Sequence, residues 1–186
     1  PRDVVVTSGA QQALALLAQV LVEPGQTAVV EDPGYPQARL ILAANGVRVV
    51  GAPVDDQGLV VEAIPSDARL VYVTPSHQFP LGMPMSPARR RALLARAGAI
   101  GAVVVEDDYD SEFRYEGRPT DSLQGMDDTG NVALVGSFSK TVAPALRLGY
   151  VVAPPAVAQA LANAKHLADC HSPTQAQLAL AKFMTD

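Results

Sequence analysis

A lysine that follows a run of apolar residues is the strongest chemical signal in this sequence. Lys140 comes just after the run Val132–Val135 and is preceded by Ser137-Phe138-Ser139. At the end of a buried strand a lysine loses hydration, which frees its amine to attack a carbonyl group and form a Schiff base. Taken alone, Lys140 also fits an ordinary surface lysine in a loop, so its neighbours must decide between the two interpretations.

Residues on either side of Lys140 have the chemistry of a phosphate site. Arg147 follows a few residues later, and a guanidinium group can bind phosphate through two parallel hydrogen bonds. Ser137 and Ser139 offer hydroxyl groups that can donate to the same phosphate. This segment therefore predicts one half of an anion site.

A turn near the start of the chain predicts the other half. Ser8, Gly9, Ala10 and Gln11 join a predicted strand to a predicted helix. Free backbone N–H groups and the positive end of the helix favour an anion there, and the glycine permits close approach. By itself the turn is also an ordinary helix cap, so the prediction depends on its meeting the first half.

Three further residues match the ring of a pyridine cofactor. Asp107 follows an apolar strand, and a carboxylate buried there needs a cationic partner, which a protonated ring nitrogen provides. Tyr109 can hydrogen-bond the phenolic oxygen of the ring, and Tyr35 can stack on its face. In isolation Asp107 also fits a helix cap or an ion pair.

Short β-branched runs alternate with Ala- and Leu-rich segments along the chain. The predicted strands are Val4–Thr7, Ala28–Glu31, Val47–Gly51, Leu70–Val73, Ala102–Glu106, Val132–Val135 and Leu148–Val152. The predicted helices are Ala10–Leu21, Tyr35–Ala44, Pro87–Ala99, Ala156–Ala168 and Pro173–Met184, and Tyr115–Thr129 reads as a surface excursion. This pattern predicts an α/β fold with a mainly parallel seven-stranded sheet and helices on both faces. Ligands bind at the carboxyl ends of such strands, where the residues above are expected.

The order of the motifs resembles the fold-type I pyridoxal-phosphate (PLP) proteins, the aspartate aminotransferase superfamily. Residues 137–140 with Arg147 resemble its S-x-S-K segment and phosphate-binding arginine. Asp107 matches its ring-nitrogen aspartate, residues 8–10 its phosphate turn, and residues 32–36 its stacking loop. The resemblance implies that PLP is bound to Lys140 as a Schiff base and that an amino compound displaces the lysine to form an aldimine. It also implies one antiparallel strand, Leu148–Val152.

Three segments narrow the resemblance to the MocR branch of the GntR-type bacterial regulators. Thr74–Gly82 is similar to their T-P-S-H-Q-F-P-x-G, Glu106–Phe113 to their E-D-D-Y-D-S-E-F, and Gly136–Thr141 to their G-[ST]-F-S-K-T. The resemblance implies that residues 1–186 form an incomplete PLP-binding large domain. An N-terminal winged helix, through which alone the protein would contact DNA, and a small C-terminal domain are expected outside this chain. A homodimer and a small amino-compound effector are expected as partners.

One departure from ordinary aminotransferases concerns the phenolic oxygen of the cofactor. Many of them carry N-P-T-G where this chain has residues 79–82, and Phe79 cannot replace the hydrogen bond of the asparagine. Tyr109 alone, or Tyr109 with His77, is expected to contact that oxygen instead. We predict the effector-sensing module of a regulator, and the alternative is a free-standing class I aminotransferase that transfers an amino group from an amino acid to a 2-oxo acid.

Composition argues against several other classes of protein. The net charge is −5, and the basic cluster Arg89–Arg91 is expected to be a solvated helix face, so this chain itself is not predicted to bind DNA. No apolar run is long enough to cross a membrane, and a single cysteine, Cys170, fits a reducing cytoplasm. The acidic run from Asp107 and the segment His166–His171 lack metal-ligand spacing, so no metal site is predicted.

Overall fold

The computed structural model describes residues 3–110 and 121–185, in which strands and helices alternate. The strands are β1 (Val4–Thr7), β2 (Thr27–Asp32), β3 (Arg48–Asp55), β4 (Gly58–Leu59), β5 (Ala68–Val73), β6 (Val103–Asp108), β7 (Val132–Ser137) and β8 (Gly149–Val152). The helices are α1 (Ala10–Leu21), α2 (Pro36–Ala44), α3 (Pro87–Ile100), α4 (Leu123–Met126), α5 (Pro155–Asp169) and α6 (Thr174–Thr185). Short 3₁₀ turns occupy Val61–Ala63 and Pro144–Leu146.

The strands form one mainly parallel sheet in the order β1-β8-β7-β6-β5-β2-β3-β4. Strand β8 runs antiparallel to both β1 and β7, which confirms the antiparallel strand expected at Leu148–Val152. The predicted count of seven is wrong by one, because β4 pairs antiparallel with the end of β3. Two residues are too few to produce an alternating pattern, so β4 has no signal in the sequence.

Helices cover both faces of the sheet, as predicted, and this explains the unbroken apolar runs of its strands. Successive strand residues point to opposite faces. Val105 therefore packs in the core beneath α1, α2 and α5, whereas Val104 packs in the core beneath α3. Within the two described ranges, no helix combines the length and the apolar character needed to cross a membrane.

The basic cluster on α3 does not form the solvated face that was predicted. Arg90 is fully buried, and its Nε and Nη2 donate to the carbonyl oxygens of Met85 and Pro75, at 3.1 and 2.7 Å. Arg89 donates to the carboxylate of Asp55 at 2.8 Å, and only Arg91 is exposed. Neighbouring helical residues point about 100° apart, so three in a row cannot share one face.

The segment after β6 is also less irregular than predicted. Residues 115–120 of the expected surface excursion lie outside the described residues, as do residues 111–113 of the acidic motif. Farther along, Leu123 is buried at the start of α4. The buried carboxylate of Glu106 accepts hydrogen bonds from the backbone N–H groups of Leu123 and Gln124, both at 2.9 Å. A carboxylate at the end of a strand thus holds the start of α4 against the sheet.

Candidate functional site

Several strands of the sheet end at one cleft of about 270 Å³. The residues that line it are Ala10, Gln11, Tyr35, Tyr72, Thr74, Phe79, Asp107, Tyr109, Ser137, Ser139, Lys140 and Arg147. The cleft thus brings together residues of the two predicted phosphate segments and the predicted ring contacts. Of the predicted site residues, Ser8, Gly9 and His77 are not part of the lining. Tyr72, Thr74 and Phe79 line the cleft without having been predicted as site residues.

Asp107 is the buried anion of the cleft. Its residue is 5% exposed at the end of β6, and its Oδ2 accepts a 2.6 Å hydrogen bond from the hydroxyl of Tyr72. Its Oδ1 is buried and has no hydrogen-bond partner among the described residues. Burial raises the pKa of Asp107 to about 6, although the bond from Tyr72 opposes the rise. The site therefore holds a carboxylate oxygen that is short of a donor.

Tyr109 connects the strand end of β6 to the segment after β5. Its hydroxyl donates to the carbonyl oxygen of His77 at 2.9 Å, and burial raises its pKa to about 12. The imidazole of His77 turns away to Asp110, where Nδ1 lies 3.1 Å from Oδ2. In this arrangement Tyr109 lines the cleft, and His77 contributes its backbone to Tyr109.

Lys140 lies at the mouth of the cleft, just beyond β7. Near the end of β7, the backbone of Gly136 packs closely against the ring of Tyr150 on β8, because a Cβ added to Gly136 would clash with that ring. Ser137 and Ser139 line the cleft beside Lys140, and the N–H of Ser139 donates to the hydroxyl of Ser137 at 3.2 Å. Lys140 is exposed, so the prediction that its amine is desolvated is wrong. The strand before it is buried, but the lysine lies past the end of that strand.

Arg147 joins the two predicted phosphate segments in space. Its backbone is left-handed, with φ 48°, and its Nη2 donates to the carbonyl oxygen of Ser8 at 3.3 Å. Gly9, with φ 85°, lies so close that an added Cβ would be 2.9 Å from Nη2 of Arg147. The hydroxyl of Ser8 lies away from the cleft lining, 3.2 Å from the hydroxyl of Ser172. Ser8 therefore contacts Arg147 through its backbone carbonyl oxygen and not through its side chain.

An aromatic wall closes one side of the cleft. Tyr35 and Phe79 pack edge to face, with ring centroids 5.6 Å apart. The hydroxyl of Tyr35 accepts a 2.9 Å hydrogen bond from Nε2 of Gln11 at the start of α1. Such a wall suits the flat face of an aromatic ligand.

The sequence reasoning missed Glu31, a second buried carboxylate behind the cleft. Its Oε2 accepts from the N–H and the hydroxyl of Thr74, at 3.1 and 2.7 Å, and the N–H of Phe79 donates to the same hydroxyl at 3.0 Å. Burial raises the pKa of Glu31 to about 7, against these hydrogen bonds. The pair Glu31-Asp32 at a strand end, similar to Glu106-Asp107, was the available signal.

The two raised pKa values predict how stability changes with pH. Between about pH 5 and 7 the folded, cofactor-free protein retains protons on Asp107 and Glu31 that the unfolded chain has released. Stability must then fall as pH rises, by up to about 1.4 kcal/mol per pH unit for each retained proton. Denaturant titrations between about pH 5 and 7 measure the free energy of unfolding and so test this predicted fall. Asp107→Asn and Glu31→Gln should each flatten the slope, and slopes equal to that of the unsubstituted protein would contradict the assignment.

Comparison with known proteins places this arrangement in a family. The sequence model for "Aminotransferase class I and II" matches residues 1–186. The regulator TauR of Rhodobacter capsulatus is 42% identical over 100% of this chain, and the probable regulator MocR of Rhizobium meliloti is 40% identical over 100% of it. The crystal structure of LysN, an α-aminoadipate aminotransferase of Thermus thermophilus complexed with N-(5'-phosphopyridoxyl)-L-leucine, superposes with a TM-score of 0.94 at 31% identity over 100% of the chain.

The match covers only part of each relative. The chain spans 38% of TauR, 38% of MocR and 50% of LysN. Within that part, the alignment covers the whole of this chain. This chain is an aminotransferase-like domain and belongs to the class I and II aminotransferase family.

Proposed function

We propose that this chain binds pyridoxal phosphate and is the effector-sensing domain of a MocR/GntR-type transcriptional regulator, with a small amino compound as its effector. One observation carries the proposal: a buried oxygen of Asp107, which has no hydrogen-bond partner within residues 3–110 and 121–185, lies in the same cleft as Lys140 and Arg147. A buried carboxylate oxygen is costly without a donor. The protonated ring nitrogen of pyridoxal phosphate is a donor that also carries a positive charge.

The remaining residues of the cleft fit the other parts of this cofactor. Arg147, with the hydroxyls of Ser137 and Ser139, would hold the phosphate, because a guanidinium and two hydroxyls are strong donors to a dianion. Tyr35 would lie against the ring face. Donors for the anion and an acceptor for the ring nitrogen are therefore present in one cleft.

The chain's own residues would perform the proton chemistry. When bound, the cofactor supplies an aldehyde that reacts with amines and a ring that withdraws electrons. Lys140 would present its amine to the aldehyde and, once an amino compound has replaced it, exchange a proton at its Nζ. Asp107 would keep the ring nitrogen protonated. Tyr109, whose pKa is raised to about 12, remains a hydrogen-bond donor at neutral pH.

Two observations favour a sensor over an enzyme. The regulators TauR and MocR share more of this sequence than LysN does. Phe79 lines the cleft at the position where ordinary aminotransferases carry an asparagine donor. A sensor needs only a ligand that favours one conformation, so it tolerates this loss better than a catalyst does. A winged helix that contacts DNA, a small C-terminal domain, a homodimer and a cytoplasmic location are part of the same proposal.

The second candidate function is that of a free-standing class I aminotransferase, and the lysine, aspartate and arginine in the cleft favour it. An experiment that distinguishes the two candidate functions uses the whole protein as the cell makes it. The protein is mixed with a panel of amino acids, with and without a 2-oxo acid, and turnover is measured. A sensor should bind an amino compound and complete at most one slow half-reaction. Rapid multiple turnover with any pair of substrates would overturn the regulator proposal.

We expect Arg147→Ala to weaken the binding of pyridoxal phosphate by about 10²-fold, because a hydrogen bond to a charged group contributes about 1.5–3 kcal/mol. Arg91→Ala is the matched control, since Arg91 is an exposed arginine on α3 outside the cleft. Titration by absorbance gives both dissociation constants. Equal effects of the two substitutions would contradict the phosphate role of Arg147.

A further inference from the structure

A buried lysine behind the cleft has a complete set of partners. Lys165 on α5 is 5% exposed. Its Nζ donates to Oε1 of Gln12 at 2.9 Å and to Oδ1 and Oδ2 of Asp169 at 2.7 and 2.9 Å. An ammonium group has three donors, so these three acceptors satisfy it. None of the three residues lines the cleft.

Lys165 determines which way the side-chain amide of Gln12 faces. Oε1 of Gln12 accepts from both Lys165 and the backbone N–H of Ser8, the latter at 2.8 Å. Nε2 of Gln12 donates to Oδ2 of Asp169 at 2.6 Å. If the amide flipped, its NH₂ group would face the ammonium and its oxygen would face the carboxylate. The ion pair therefore keeps the oxygen of Gln12 directed at Ser8.

Ser8 connects Gln12 and Asp169 to Arg147, which lines the cleft. Its hydroxyl lies 3.4 Å from Oδ2 of Asp169, and its carbonyl oxygen accepts from Nη2 of Arg147. We call Ser8, Gly9 and Arg147 the phosphate corner. Ser8 is thus held by Gln12 and Asp169 on the side away from the cleft and by Arg147 on the side of the cleft.

We infer that Lys165 and Asp169 are positioning residues for the phosphate corner, acting through Gln12 and Ser8. This inference rests on the proposed function, since it takes the phosphate of the cofactor as the anion bound there. It extends the site from the cleft to the end of α5 and to the turn that leads into α6, where the buried hydroxyl of Ser172 lies 3.2 Å from that of Ser8.

Apolar contacts as well as this polar network hold α1 and α5 together. Buried apolar residues already pack the two helices together, among them Leu14 and Leu17 of α1 and Ala158 and Leu161 of α5. A network in which the ammonium of Lys165 has all three of its donors satisfied favours one arrangement of its members. The arrangement selected here is that of the turn beside Arg147.

Binding of pyridoxal phosphate and of pyridoxal, which lacks the phosphate, tests the inference in the naturally produced protein. Lys165→Met removes the charge, and Asp169→Asn is a milder variant at a partly exposed site, in case Lys165→Met does not fold. We expect each variant to raise the dissociation constant for pyridoxal phosphate about tenfold and to change that for pyridoxal less than about twofold. The control is Asn163→Ala, because Asn163 pairs with Gln159 on the exposed side of the same helix.

The outcomes separate this inference from the proposed function. A rise confined to the phosphate-bearing ligand supports a positioning role. An equal rise for both ligands shows general damage and overturns it, as does a folded Asp169→Asn variant that binds pyridoxal phosphate as tightly as the control. If the unsubstituted protein binds pyridoxal phosphate no better than pyridoxal, the proposed function itself fails.

Discussion

Replacing Lys140 with alanine is expected to abolish the absorbance band of covalently bound pyridoxal phosphate and to leave the fold intact. Lys140 is exposed at the mouth of the cleft, and substitutions at exposed positions usually change the free energy of unfolding by about 0.5 kcal/mol or less. The phosphate corner and Asp107 remain in the variant. The cofactor should therefore still bind, but without a bond to the chain.

Lys182 on α6 provides the matched control for this experiment. It is an exposed lysine away from the cleft, so Lys182→Ala should retain the band. Reduction with borohydride would make the attachment permanent, and peptide mapping would then distinguish Lys140 from Lys165 and Lys182. A variant lacking Lys140 that still shows the band, or label found on another lysine, would refute the assignment.

Much of the fold could be predicted because central strands such as β2 and β6 are buried on both faces. Runs such as Val103–Val105 admit few other interpretations once amphipathic segments separate them. The edge on which chemistry would occur then followed from the rule that ligands bind at the carboxyl ends of parallel strands. Lys140 and Asp107 were predicted in this way, Arg147 was predicted from its chemistry and its place soon after Lys140, and the structure brings all three to the same cleft.

The residues that escaped prediction owe their roles to distant partners. Tyr72 reads as one more apolar residue of β5, and only the fold places its hydroxyl against Asp107. Ser8 was predicted to belong to a turn with free backbone N–H groups, yet its N–H donates to Gln12, and its hydroxyl lies near Asp169 and Ser172, which are far away in the sequence. Residue type and local spacing do not reveal which of several polar neighbours a side chain meets.

Arg90 shows the same limit for charge. Three consecutive arginines suggest a solvated surface, but the helix directs the middle one into the protein. Backbone carbonyl oxygens accept its hydrogen bonds there, and the buried carboxylate of Glu106 lies 3.9 Å from its Nη1. Burial of a charge is a property of three-dimensional neighbours, and it is where sequence patterns are weakest.

The second large effect is expected from Asp107→Asn, which preserves shape and removes charge. The amide oxygen can still accept the hydrogen bond of Tyr72, so the fold should persist. Above pH 6 the cofactor-free variant should be more stable than the unsubstituted protein, because a buried carboxylate has been removed. Once the cofactor is present, its ring nitrogen would lack the anionic partner proposed for it and would no longer remain protonated.

Replacing Asp107 should slow the removal of a proton from the amino donor far more than it weakens binding of the cofactor. Loss of one partner of a buried ion pair costs about 3–5 kcal/mol, which corresponds to a fall of about 10²- to 5 × 10³-fold in the rate at which an amino donor loses the proton beside its amine. Exchange of that proton with deuterium measures the rate. Asp110→Asn, beside the cleft and paired with His77, is the control and should have a much smaller effect. If the rate with Asp107→Asn stays within about threefold, the carboxylate does not face the ring nitrogen, and its buried Oδ1 must serve another ligand.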